Sequence, residues 1–152
     1  MDPELKFVFE ARVDLGTPLE IGVLPTGSER RVIPINGGTF EGPSLAGSVL
    51  PGGADWQIVH ADGSADLDAR YTLQTNTGAL ISVFNQGIRN GPPDVLARLR
   101  AGERVPATSY YFRAVPKFET GDPQLRWLCR SIFLCSGERL ESQVILRFWQ
   151  VC

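Results

Sequence analysis

Moving a proton calls for a carboxylate and holding an anion calls for a guanidinium, and this chain of 152 residues offers both at strand-like spacing. Asp68 and Arg70 lie two residues apart, so on a strand they share one face about 7 Å apart along the backbone and can orient each other. Further on, Tyr111, Arg113 and Lys117 alternate with Tyr110, Phe112 and Phe118. An arginine among aromatic rings suits a clamp, because its planar fork grips a carboxylate through two parallel hydrogen bonds. Asp55 and Trp56 follow the turn-forming Pro51-Gly52-Gly53, a placement expected at a barrel mouth, where carboxylate and indole would meet a ligand. Asn85, inside an apolar strand, and Trp127, entering the penultimate strand, are candidates for orienting and stacking. Each group also has a plainer reading: a solvated outer face for Asp68 and Arg70, simple packing around Arg113, and a tight turn before a core Trp for Asp55 and Trp56.

Other chemistries lack their residues. There is no GxGxxG, GxxxxGKS/T, GxSxG or HExxH, so dinucleotide, P-loop, hydrolase-elbow and zincin sites are not expected. His60 is the one histidine and precedes the turn Ala61-Asp62-Gly63, which reads as a surface imidazole at a strand end. Cys129, Cys135 and Cys152 are odd in number and have no CxxC spacing, which speaks against a disulfide framework and a thiolate zinc site. With no EF-hand-like loop either, neither metal nor organic cofactor is expected.

The elements that must carry these residues are strands. Sixteen glycines and eleven prolines interrupt the chain too often for helices of the usual ~11–12 residues, so the expected class is all-β. Alternation marks strands at residues 5–13, 19–23, 31–40, 44–50, 56–60, 65–74, 79–86, 109–118, 126–135 and 142–151. Gly37-Gly38 suggests a bulge or bend, and Asn76-Thr77-Gly78 a hairpin. One short helix is expected between the start signal Pro92-Pro93-Asp94 and the stop at Gly102. Such an order predicts an antiparallel closed β-barrel of about eight main strands, lipocalin-like, because closure removes exposed edges. A barrel of that size holds one small ligand.

Composition bounds the rest. With 43% hydrophobic residues, a chain this long buries roughly 68–70% of its unfolded surface, so one domain, 1–152, needs no metal or disulfide to fold. A formal charge of −2 leaves no excess of cations to release counterions from phosphates, so nucleic acid is not an expected partner. The longest uncharged stretch, residues 71–88, is dotted with Thr, Gln, Asn and Ser, so no membrane span is expected. The acidic, alternating start MDPELKFVFEARVD is unlike an export signal, and with the odd cysteine count it points to the cytoplasm.

Three segments, GGTFEGPSLAGSVLPGGADW at 37–56, LDARYTLQTNTGALISVFNQG at 67–87 and YYFRAVPKFETGDPQLRWL at 110–128, resemble the family known as domain of unknown function 3237. The resemblance covers nearly the whole chain. It implies a small, self-associating β-barrel, similar to barrels of the allene-oxide-cyclase type, and a link to a lyase that converts hydroxylaminobenzoate to a catechol acid. It falls on Asp55, Trp56, Asp68, Arg70, Tyr71, Asn85, Tyr111, Arg113 and Glu119. The resulting expectation is a cofactor-independent lyase or isomerase acting on a small carboxylated, aromatic metabolite. Arg113, or else Arg70, would fix the carboxylate; Trp56, Tyr111 or Trp127 would stack on the ring; Asp68 or Asp55 would move protons. The rivals are a carrier barrel that binds the same kind of anionic ligand without catalysis, and a structural oligomer with a filled interior. A homo-oligomer is expected from the family and from the strand at 79–87, which is apolar on both faces.

Overall fold

The computed structural model describes all residues, Met1–Cys152. Where alternation meets turn residues, ten strands form: β1 (Leu5–Leu15), β2 (Leu19–Val23), β3 (Glu29–Glu41), β4 (Ala46–Val49), β5 (Gly53–Val59), β6 (Ala65–Thr75), β7 (Leu80–Asn90), β8 (Tyr111–Glu119), β9 (Ile132–Arg139) and β10 (Gln143–Val151). All pairings are antiparallel. They run from β1 through β10, β9, β8 and β7 to β6, and β3 closes back onto β1. The gap between β6 and β3 is filled end to end by two short strands, β5 against the first half of β3 and β4 against its last residues. In the same way β2 pairs with the start of β3 where β1 has ended. The sheet is therefore a closed barrel of eight positions with two extra strands, as the sequence predicts.

Two irregularities fix which residues face inward. Gly37 and Gly38 both take positive φ, 138° and 136°, and the β1–β3 register shifts opposite them, between Asp14 and Leu15. A side chain at Gly38 would collide with the Arg12 carbonyl, so only glycine permits this approach. A second shift, between Phe7 and Phe9, breaks the simple alternation of the 5–13 strand, so that Phe7 leaves the face it would share with Phe9 and lies edge-on against Trp149, with ring centroids 5.4 Å apart.

The expected helix is present as α1 (Pro93–Arg100), started by proline in its first turn and burying Leu96 and Leu99. The expected strand at 126–135 is shorter. Asp122 accepts a hydrogen bond from the Gln124 amide at 2.8 Å and caps a 3-10 helix, Pro123–Cys129, so β9 begins only at Ile132 and Trp127 lies in the helix.

One end of the barrel is packed shut. Phe9 stacks on Phe148 at 4.3 Å, and Phe118 meets Phe133 edge to face at 5.0 Å. Leu73, Ile81 and Val83 fill the space around them, with Leu128 of the 3-10 helix fully buried below. Each such aromatic pair contributes about 0.5–1.5 kcal/mol beyond the area it buries.

Candidate functional site

At the other end the inner face changes character. Along β5, Asp55 and Gln57 stand in phase with the buried Val59. On β7, Asn85 and Arg89 continue the inward row of Ile81 and Val83, and on β9 Arg139 continues the row of Phe133 and Cys135. These polar groups line a lumen whose remaining walls are apolar, including Ile33, Leu67, Tyr71 and Phe112. Counted to its mouth the lumen has an empty volume of about 540 Å³, and the centre of a water molecule reaches only about 40 Å³ of it. Arg89 and Arg139 also line a wider vestibule, with an empty volume of about 800 Å³, bounded by Glu20, Arg31 and the end of α1 at Arg100. Both arginines therefore stand at the passage from solvent to lumen.

Asp55 is held from two sides. Gln57 Nε2 donates to its Oδ2 at 2.8 Å, and the backbone amide of Asp68 donates to Oδ1 at 2.9 Å. The β5–β6 ladder is interrupted here, between the Asp55–Ala69 and Ile58–Asp66 pairs, and the carboxylate takes the amide that a backbone carbonyl would otherwise hold. Burial raises the Asp55 pKa above the ordinary carboxylate value, opposed by these two hydrogen bonds and by the charge of Arg89.

The cations are strained in the opposite sense. Burial lowers the pKa of Arg89, Asp55 partly restores it, and Arg31 lowers it again. Burial likewise brings Arg139 down to about 10, with Arg89 and Arg31 adding repulsion. Arg31 is relieved by Glu20 at 2.8 Å, whereas Nε of Arg89 is buried without a hydrogen-bond partner. Backbone contacts fix Arg139: its Nε donates to the Leu140 carbonyl at 3.0 Å, and its amide donates to the Tyr110 hydroxyl at 2.9 Å. Like-charged guanidinium groups crowded in a low-dielectric mouth attract an anion, since a carboxylate relieves repulsion and desolvation together.

Two other groups are inert by environment. Burial pushes the Cys135 thiol up to about 12, so it is not a thiolate nucleophile at neutral pH, and burial keeps the Tyr71 phenol neutral. No three His, Cys, Asp or Glu side chains converge as metal ligands would.

Of the residues singled out by sequence, Asp55, Asn85 and Tyr71 reach the lumen. The others require correction of their place. Asp68 and Arg70 point outward on β6, 3.4 Å from each other, because Leu67, Ala69 and Tyr71 take the inner face. With Trp56 they line a groove on the outer wall. Tyr111, Arg113 and Glu119 are likewise outward on β8, whose inner row is Phe112, Ala114 and Phe118. Arg113 lies over the Tyr111 ring at 5.6 Å, a pair made on the surface. Trp127 packs against Phe133 at the closed end. His60 is outside the lumen, 2.9 Å from Asp66. Sequence reasoning missed Gln57, Arg89, Arg139 and Arg31. The signal was there: polar residues falling in phase with buried apolar ones, as Arg89 does with Ile81, Val83 and Asn85.

The model of the family described as a protein of unknown function (DUF3237) matches residues 3–151. The chain is similar to a UPF0311 protein of Bradyrhizobium diazoefficiens, 41% identical over 99% of each chain, and to one of Clostridium acetobutylicum, 39% identical over 95% of this chain and 91% of the other. Its fold matches that of a conserved protein of unknown function from Rhodopseudomonas palustris at a TM-score of 0.94, with 38% identity over 100% and 99% of the two chains. It also matches a beta-barrel like protein from Acinetobacter baumannii at 0.88, with 39% identity over 100% and 98%. An enzyme from Penicillium herquei shares the fold at a TM-score of 0.74 and 23% identity, covering 100% and 96%.

Proposed function

We propose, from the premise that the chain belongs to the DUF3237 family, that it is a cofactor-independent lyase or isomerase whose substrate is a small carboxylated, aromatic metabolite held in the lumen. The observation that carries this reading is the placement of the desolvated Asp55 carboxylate behind two arginines, Arg89 and Arg139, in a cavity open at one end whose walls, Gln57 and Asn85 apart, are apolar. The arginines take the substrate's anion at the mouth. Its ring then lies between Phe112, Tyr71 and the aliphatic wall, and Asp55 meets it from the side.

A carboxylate with a raised pKa holds and releases a proton nearer neutrality than an exposed one, which is what a general acid or base requires. Taking a proton from one atom of the substrate and returning it to another is an isomerisation; taking it while a neighbouring group departs is an elimination. Neither needs a redox partner. Gln57 and the Asp68 amide set the orientation of the carboxylate for that transfer.

The test is a thermal-shift screen against aromatic acids, hydroxylamino and nitro derivatives included, followed by product analysis of every hit. The expected result is binding with turnover, and a loss of about 10²–10⁴ in rate for Asp55→Asn. Tight binding without product, indifferent to Asp55→Asn, would instead establish a carrier; no binding of any acid overturns the reading. The proposal includes self-association, supported by the exposed Ile88, Tyr111, Val115, Ile132 and Leu134 on the outer wall of β7 to β9. Light scattering at micromolar concentration that finds a monomer contradicts that part. It also includes residence in a reducing compartment, supported by three free cysteines.

A further inference from the structure

Four buried side-chain atoms have no hydrogen-bond partner: Gln57 Oε1, Asn85 Oδ1, Tyr71 Oη and Arg89 Nε. Buried polar groups are paired in the great majority of cases, so four orphans would be a scattered defect if they lay apart. They do not lie apart. All four residues line the one lumen.

Chemistry fixes which way the amides turn. Only the NH2 of Gln57 can donate to the Asp55 carboxylate, so its carbonyl oxygen is left free. The Cys135 thiol spends its hydrogen on the Ser136 carbonyl at 3.6 Å, so its sulfur accepts from Asn85 Nδ2 at 3.5 Å, and Asn85 too is left with a free carbonyl oxygen. Two acceptors therefore wait where a carboxylate-binding site alone would need donors. Asn85 lies four residues below Arg89 on the same inward row, about 13 Å deeper along the strand. The Tyr71 phenol, neutral and able to donate or accept, lines the same cavity on the neighbouring strand.

We propose that the lumen selects a hydroxylated ring: beyond its anionic group the ligand carries hydroxyl donors that enter first and are read by the free carbonyl oxygens of Gln57 and Asn85 and by Tyr71. This deepens the reading of the site as a pocket for a carboxylated aromatic and rests on it. A site whose buried acceptors await donors discriminates strongly against an analogue that lacks them, because the acceptors are then buried unpaired a second time. Fatty acids and unsubstituted aromatic acids are rejected on this ground.

Calorimetric titration with 3,4-dihydroxybenzoate and 3,4-difluorobenzoate, similar in size and equal in charge, tests the inference on the full chain. The dihydroxy acid is expected to bind about tenfold more tightly or better. Tyr71→Phe, which removes one oxygen and no packing, and Asn85→Leu are each expected to shrink that ratio. Equal affinities, or a ratio unchanged in both variants, overturn the selection of hydroxyls and leave the carboxylate pocket standing. Failure of both acids to bind overturns the two readings together.

Discussion

The two ends of this barrel are built from the same strands to opposite specifications. At the closed end, β1, β8, β9 and β10 each contribute a phenylalanine, from Phe9, Phe118, Phe133 and Phe148, and the rings pack against one another. At the open end β5, β7 and β9 contribute Asp55, Gln57, Asn85, Arg89 and Arg139, and leave a lumen. Strand alternation sends both sets inward with equal ease, so the backbone does not distinguish them. The difference lies in cost: the aromatic end repays the entropy of folding, and the polar end stores buried charge that Glu20 and Asp55 relieve only in part.

The comparison breaks most visibly under Phe148→Ala. Removing a fully buried ring that touches Phe9 and Phe118 is expected to cost about 3–5 kcal/mol in denaturant unfolding; a loss near zero would mean that the closed end is not what holds the barrel. Arg139→Met is expected to behave in reverse. Unfolding stability stays level or rises, because a desolvated cation repelled by Arg89 and Arg31 is gone, while affinity for an aromatic carboxylate falls roughly 10–100-fold by calorimetry.

A smaller effect follows from protonation. The folded protein holds the Asp55 proton to higher pH than the unfolded chain does, so Asp55 contributes a stability that is largest at acid pH. That contribution declines as pH rises from the ordinary carboxylate range through the raised folded value, and is level above it. Subtracting the unfolding free energy of Asp55→Asn from that of the wild type should give a difference that falls across this window; a rising difference would reverse the assignment. Smallest of all is Asp68→Asn, which alters an outward side chain and is expected to move stability by no more than about 0.5 kcal/mol and anion affinity not at all. A large loss of affinity there would return the site to the outer wall.

Much of the fold is legible in the sequence because it depends on local signals. The alternation of β6, the glycine pair of β3 and the proline start of α1 each specify structure within a few residues. The site is legible in part. The same alternation that defines β6 divides Asp68 and Arg70 from Leu67, Ala69 and Tyr71, and the polar set is the more eye-catching while the apolar set is the one a barrel turns inward. Arg89 hides among Ile81, Val83 and Asn85 because it reads as a flaw in an apolar row. The breaks in alternation, at Asp55, Gln57, Asn85 and Arg89, are what line the lumen; the regular polar row meets water. The bulge at Phe7 was invisible for a different reason, since nothing in its neighbours marks the extra residue.

The amide of Asp68 has its nitrogen on the barrel wall and its hydrogen on a carboxylate inside. Whatever happens to that carboxylate, protonation or arrival of a guest, is registered by one peptide group of the wall. A single backbone resonance thus serves as a built-in indicator of the interior, readable in a fifteen-nitrogen spectrum without a label placed in the cavity.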